Sequence, residues 1–440
     1  MGLKKSIQKR WASFLARLLK GIGRAWTKYP FVEIFSIHLG HTLIESAYWF
    51  QHRPILIFWR YPLANRWLVE KLENNLPFPA IQKWLNQIRK KTTKSLLELN
   101  LQSLSKNLSD HYYLLNLGFN CLPEKLPKIT FTEIENQDAN AFFEAHGLHK
   151  KKYVCFCIRD ETYYKDFKPD LYFSGAESFE FRNASSFNYQ MAARHLIKNN
   201  IVPVLMGFST NPAPKEFFRP AHSAMYRPWI EAILYQKCFF CVGMMTGGTL
   251  YGSWFQRPVL WSDVFWRGAP IGSKKDLVLP KKILKIEKPF LSSTKKAVKE
   301  IHMKEWVNLG PPPDNDWTHF SKKGYEPQAC SPLEILHAVQ DMLKAQSSTR
   351  CFPDSNSKRV HKEFSKIHLE KAKKFGIPPT RLAPSWGKKN LNLILSASFS
   401  TYEKYWCEEK LGTHLKFKKM ASERKTAQFL KIKRRQGSTK

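Results

Sequence analysis

Three apolar runs in the middle of the chain end on residue types that can hold a phosphate. The run 153–158 ends on Arg159 and Asp160, the run 201–206 on Gly207, and the run 239–242 on Gly243-Met244-Met245-Thr246-Gly247-Gly248. A guanidinium can grip a phosphate through two parallel N–H bonds. Glycines let backbone N–H groups approach an anion closely, and a helix starting behind them points its positive end at it. The plainer alternative is a tight turn beside a surface arginine. No G-x-G-x-x-G dinucleotide fingerprint and no Walker motif is present. Metal signals are poor. Asp314-Asn315-Asp316 follows three prolines in a loop, not at a strand end, and Cys155, Cys157, Cys238 and Cys241 sit in apolar runs as small buried residues do. We therefore expect neither a bound metal nor a cofactor.

The elements that must position these residues alternate between strand and helix. Strand patterns fall at 32–37 and 55–58, with helical patterns at 42–51, 62–74, 79–106 and 138–146. A second series begins near residue 151. Strands are expected at 153–158, 201–206, 239–242 and 258–261, and helices at 187–199, 229–235 and 249–255. Ser331-Pro332-Leu333-Glu334 is a capping box with proline at the first helical position, opening a helix that ends near Ala345. Such alternation implies an α/β fold of parallel sheets with right-handed crossovers. The expectation is two doubly wound, Rossmann-like domains, 31–149 and 150–349, facing across a cleft. In such folds ligands bind outside the carboxyl ends of the strands.

The charge is concentrated at the two ends. Of a formal +35 over 440 residues, residues 1–30 hold eight basic and no acidic side chains, and residues 350–440 hold 23 basic against 7 acidic. These arms suit a polyanionic partner. In the first, Ile7, Trp11, Phe14, Leu15, Leu18, Leu19, Ile22 and Trp26 share one helical face, flanked by Lys and Arg. That pattern fits a helix lying in an anionic membrane interface, although a transit peptide or packing on the protein body would look similar. Residues 350–440 form a basic extension. No stretch approaches the roughly 18 apolar residues of a membrane span. The cysteine spacing is not that of a secreted scaffold, so the expected location is cytoplasmic and peripheral to the membrane.

Several short motifs over about 31–345 resemble a family. Arg159-Asp160-Glu161-Thr162-Tyr163 is similar to a strand-end Arg-Asp-x-x-Tyr, Phe181-Arg182-Asn183 to an aromatic-Arg-Asn, and Met206-Gly207 closes the next strand. His38-Leu39-Gly40-His41 stands where Arg-Ile-Gly-His is usual. Thr246-Gly247 stands for Ser-Gly with Met244 replacing a small hydroxyl residue, and Phe255-Gln256-Arg257-Pro258 resembles Phe-Gly-x-Pro. In this order they resemble an uncharacterised bacterial family of GT-B-type glycosyltransferases, laid out like heptosyltransferases and fucosyltransferases. The resemblance implies a nucleotide-sugar donor in the second domain and a carbohydrate or lipid-linked acceptor on the first, with no metal. Arg159, Gly207, Thr246, Gly247 and Gly248, helped by Arg182 and Asn183, would bind the donor. His41, Glu45 and Asp160 are candidates for the general base, although His41 also suits a helix cap and Asp160 the orientation of Arg159. Two other readings stand beside this one. The charge allows a non-catalytic nucleic-acid-binding protein, but no zinc-finger or RNA-binding signature accompanies it, so no specific nucleic acid is expected. The departures at His38 and Met244 allow a glycosyltransferase-like scaffold.

Overall fold

The computed structural model describes residues 31–34, 43, 56–59, 65–76, 79–80, 126–160, 183–207, 211–244, 246–264, 276–286, 298–301, 318–347 and 381–385. The chain divides into two compact units, Met1–Lys282 with Pro327–Asn390, and Ile283–Glu326 with Leu391–Lys440.

The first unit holds a parallel pair, β1 (Phe31–Ile34) and β2 (Leu56–Trp59), and a six-stranded sheet. The sheet comprises β3 (Lys152–Cys157), β4 (Ile201–Leu205), β5 (Phe240–Gly243), β6 (Val259–Val264), β7 (Leu277–Pro280) and, as a two-residue edge, Arg381–Leu382. Every neighbour pair is parallel. Parallel strands covered on both faces read as unbroken apolar runs, and Val154, Phe156, Phe240, Val242, Leu260 and Trp261 are accordingly fully buried.

Strand order decides where a ligand can sit. From β3 the chain steps to β4 on one side, then returns past β3 to β5, β6 and β7 on the other. Right-handed crossovers in opposite directions place their helices on opposite faces. One layer pairs α3 (Gln190–Lys198) with α7 (Pro332–Ser347), and the other pairs α4 (Pro228–Lys237) with α5 (Gly247–Trp254). The remaining helices of the series are α1 (Arg66–Glu73), α2 (Glu133–Ala145), which packs on α4, and the short α6 (Thr318–Ser321). The sheet is therefore doubly wound and Rossmann-like, with its order reversing between β3 and β5. The second unit carries a small sheet in which β8 (Lys282–Ile286) lies between β9 (Val298–Glu300) and β10 (Tyr325–Gln328).

The expected alternation is present from residue 152 to 264, with altered boundaries. The helix expected from 138 starts at Glu133, because Thr132 accepts from Glu135 N while Glu135 Oε2 accepts from Thr132 N at 2.8 Å. The strand expected to stop at 261 runs to Val264 through a bulge at Asp263. Strand β7 and the 381–382 edge were not expected. The basic arm 1–30, almost all of 350–440 and most of the expected helices 42–51 and 79–106 lie outside the described residues. Among the described residues, no helix is long and apolar enough to cross a membrane.

One aromatic series ties α1 to the sheet. Trp67 stacks on Phe131 at 5.5 Å between ring centroids, Phe131 meets Phe255, and Phe255 and Tyr235 both stack on Tyr251. Glu135 pins the outer end, accepting from Trp67 Nε1 at 2.6 Å and Lys71 Nζ at 2.7 Å. Burial alone raises its carboxyl pKa, but the bonds from Lys71, Trp67 and Thr132 outweigh that and hold it below its ordinary 4.5. Its stabilising contribution is thus present above the unfolded value and lost as pH falls through the lower folded one. Thr132→Ala should cost about 1 kcal/mol, read as a lower urea midpoint at unchanged slope. Glu135→Gln should also flatten the acid limb of stability below pH 4.5. A wild-type midpoint in Thr132→Ala, or an unchanged acid limb in Glu135→Gln, contradicts this account.

Candidate functional site

Where strand order reverses, two crossovers leave the sheet in opposite directions and open a crevice at the carboxyl edge. Here that point lies between the ends of β3 and β5, which pair Cys157 with Gly243. Their following loops are tied together. Met244 N donates to Cys157 O at 3.1 Å, and Arg159 N donates to Met244 Sδ at 3.4 Å. Met244 is buried, so the residue that departs from a small hydroxyl fills space and accepts a backbone hydrogen bond. On the other side of Arg159, its carbonyl accepts from Ala184 N at 3.0 Å. That contact brings Asn183 to the same edge. Asn183 Oδ1 is buried without a hydrogen-bond partner among the described residues.

The turn before α5 is a capped helix start. Thr246 is the N-cap, its Oγ1 accepting from Thr249 N at 3.3 Å and lying 3.0 Å from both Thr249 Oγ1 and Cys157 Sγ. Its hydroxyl is therefore engaged within the protein and satisfies the Thr249 N–H, while Gly247 and Gly248 carry the other N–H groups of the first turn. Gly248 has a packing reason of its own. A Cβ there would lie 2.5 Å from Cys157 Sγ and 2.8 Å from Tyr235 Oη. One turn later, a Cβ on Gly252 would lie 2.5 Å from Cys241 Sγ. The two glycines set α5 directly onto β3 and β5. Gly207, after β4, is required for a different reason, its φ of +89° with open space beside it. Burial pushes the Cys157 thiol pKa up, an effect only partly offset by its bond to Thr246, so the sulfur is a packing group rather than a thiolate nucleophile.

Arg159, Asp160, Asn183, Gly207, Thr246, Gly247 and Gly248 thus share one edge of one sheet, at the ends of neighbouring strands β4, β3 and β5 or in the loop bonded to Arg159. His41, Glu45 and Arg182 lie outside the described residues, as does Asp314-Asn315-Asp316. Among the described residues, no three His, Cys, Asp or Glu side chains converge to hold a metal ion.

The same edge carries polar groups that the sequence did not single out. Asp263, at the end of β6, is 2% exposed and has a φ of +51°. Its Oδ2 accepts from Tyr189 Oη and its Oδ1 from Cys330 N, both at 2.7 Å. Lys281, just after β7, is 3% exposed, with Nζ 4.0 Å from Asp263 Oδ1 and donating to Asn183 O at 3.0 Å. Near the start of α4, Glu231 accepts from Tyr226 Oη at 2.7 Å. Burial raises its carboxyl pKa, and the tyrosine bond offsets only part of that. Single charged residues beside apolar runs give no spacing signal, which is why these were missed.

No protein-family model matches the chain, and no curated protein does. Among solved structures the chain is similar to the ADP-heptose lps heptosyltransferase II of E. coli, at 14% identity over 57% of this chain and 89% of that one, with a TM-score of 0.31. A likeness this low says nothing about activity.

The packing role of Gly248 makes a prediction. Gly248→Ala should destabilise the protein by about 1–3 kcal/mol, the scale of overpacking, although alanine is the better helix former. Pairing it with Cys157→Ala, which vacates the sulfur's volume, should recover part of the loss. Thermal unfolding of the two variants tests this, and wild-type stability in Gly248→Ala would contradict it.

Proposed function

We propose that the protein is a metal-independent glycosyltransferase. It moves a sugar from a nucleoside-diphosphate sugar to a surface-polysaccharide or lipid-linked acceptor. The observation that carries the reading is the joining of Arg159 to the Met244–Gly248 turn where the sheet order reverses. Breaking the glycosidic bond puts negative charge on the departing nucleoside diphosphate. Preorganised N–H groups and a guanidinium stabilise that charge more than they stabilise the bound donor. In this reading Arg159 grips the diphosphate, the first turn of α5 supplies backbone N–H groups, and Asn183 Oδ1 accepts from a donor hydroxyl. Arg182 assists from the same loop. In this reading residues 31–149 bind the acceptor and residues 150–349 the donor. The acceptor hydroxyl loses its proton to His41, Glu45 or Asp160. The basic arms hold the enzyme to the cytoplasmic face of an anionic membrane.

Calorimetric titration with UDP, ADP and GDP tests the donor site. One of them should bind the wild type, and Arg159→Ala should weaken that binding by about 1.5–3 kcal/mol, the scale of a hydrogen bond to a charged group. Arg159→Lys should restore only part, since an ammonium cannot reproduce the fork. Equal binding by wild type and Arg159→Ala would overturn the site. A salt-sensitive complex with nucleic acid and no diphosphate binding would favour the binding-protein reading instead.

The membrane part is tested separately. Each basic residue at an anionic surface contributes on the order of 1 kcal/mol. Removing residues 1–30 should release the protein from phosphatidylserine vesicles in a sedimentation assay. Unchanged sedimentation would show that the arm is not the anchor.

A further inference from the structure

Lys281 sits in the interior at the carboxyl edge, and burying an ammonium is unfavourable unless it is well paired. Asp263 Oδ1 lies 4.0 Å away, beyond hydrogen-bond length, and Lys281 Nζ donates to the backbone carbonyl of Asn183 at 3.0 Å. Asp263 meanwhile bonds closely to Tyr189 Oη and Cys330 N, on two other segments of the same unit. Desolvation lowers the Lys281 pKa, and the charge of Asp263 opposes that shift. A lysine present only to neutralise Asp263 would have no cause to reach a loop carbonyl 98 residues away in sequence.

The bond to Asn183 continues to the proposed donor site. The next residue, Ala184, donates its N–H to Arg159 O, and Arg159 N donates to Met244 Sδ. One side chain thus links the end of β7 to the loop that holds the arginine at the end of β3. We infer that Lys281 is a positioning residue. By holding the Asn183–Ala184 backbone it fixes the backbone of Arg159, and with it the aim of the guanidinium at a nucleoside diphosphate. The inference rests on the donor-site reading of Arg159. It adds to that reading a residue two strands away from the phosphate turn, held in the interior by Asp263. The bulge at Asp263, with its left-handed φ, belongs to the same device, since it places the carboxylate beside Tyr189, Cys330 and Lys281 at once.

Lys281→Met alone would leave Asp263 as an unpaired buried charge, so loss of folding would explain nothing. The informative variant is Asp263→Asn with Lys281→Met, which removes both charges and keeps both shapes. Two measurements are made on the full chain. The first, without ligand, is hydrogen exchange at the Ala184 amide. Exchange there should quicken about tenfold relative to the wild type, as expected for a local opening that has become easier. The second is calorimetry with UDP, ADP and GDP. The double variant should unfold at the wild-type temperature and bind about tenfold more weakly, a change in keeping with one lost charged contact. In an Arg159→Ala background the same pair of changes should cost no further affinity, because Lys281 acts through Arg159.

Unchanged exchange at Ala184 overturns the inference, as does wild-type affinity in the double variant. Losses that multiply with that of Arg159→Ala also overturn it. If the wild type binds none of the three nucleotides, the donor-site reading fails, and the exchange measurement still decides whether Lys281 holds the Arg159 loop. If the double variant does not fold, Asp263→Asn with Lys281→Leu takes its place, which also removes both charges and leaves no donor for Asn183 O, under the same expectations.

Discussion

The seating of α5 on β3 and β5 is the contact on which the rest of the site depends. Cys157 Sγ and Tyr235 Oη occupy the space that a Gly248 side chain would take, and Cys241 Sγ does the same at Gly252. With two glycines on its inner face, the helix comes close enough for Thr246 to cap it while lying against Cys157. That closeness fixes where the first turn of α5 begins relative to the end of β3, and so where its backbone N–H groups lie relative to Arg159. The hydrogen bonds of Met244 complete the join, one to Cys157 and one from Arg159. A larger residue at position 248 would push the helix outward and separate the arginine from the turn.

Around this join, polar groups are buried where an apolar core would be simpler. Asp263, Lys281, Ser262 and Tyr189 lie together at the carboxyl edge, with Tyr189 Oη 2.9 Å from Ser262 Oγ and 2.7 Å from Asp263 Oδ2. Buried networks of this kind gain little stability over well-packed apolar residues, but they fix geometry through directional bonds. Asp276 shows the contrast. Also buried, it accepts from Val259 N and Trp261 Nε1 and holds β6 from within its own neighbourhood. The Asp263–Lys281 pair instead reaches outward, to the loop that carries Asn183.

Much of the sheet is legible in the sequence because strands buried on both faces must be apolar throughout. The runs at 153–158, 201–206 and 239–242 mark β3, β4 and β5 closely. Strand β7 escapes notice because it is four residues long, ends on Pro280 and is followed at once by Lys281. The end of β6 is hidden by Asp263, a charged residue in a strand, which is tolerable only because a bulge turns it toward partners more than sixty residues away. The site is legible to the same degree. Arg159, Asn183 and Thr246 are visible as strand-end and loop residues, and register brings them together. The glycines are visible too, but sequence suggests only an approach to phosphate, whereas Gly248 is also needed for an approach to Cys157. Lys281 is not legible at all, since its role depends on a backbone carbonyl and no residue pattern encodes that.

The proposed donor site has a nucleoside diphosphate against Arg159 and the first turn of α5, at the point where strand order reverses. A hydrogen-exchange footprint of the whole protein, taken with and without saturating UDP, ADP or GDP, tests it most directly. One nucleotide should slow exchange at the amides of 159–160 and 246–248, while the amides of α2 are unaffected. Slowing confined to other segments, or none with any of the three, would contradict it.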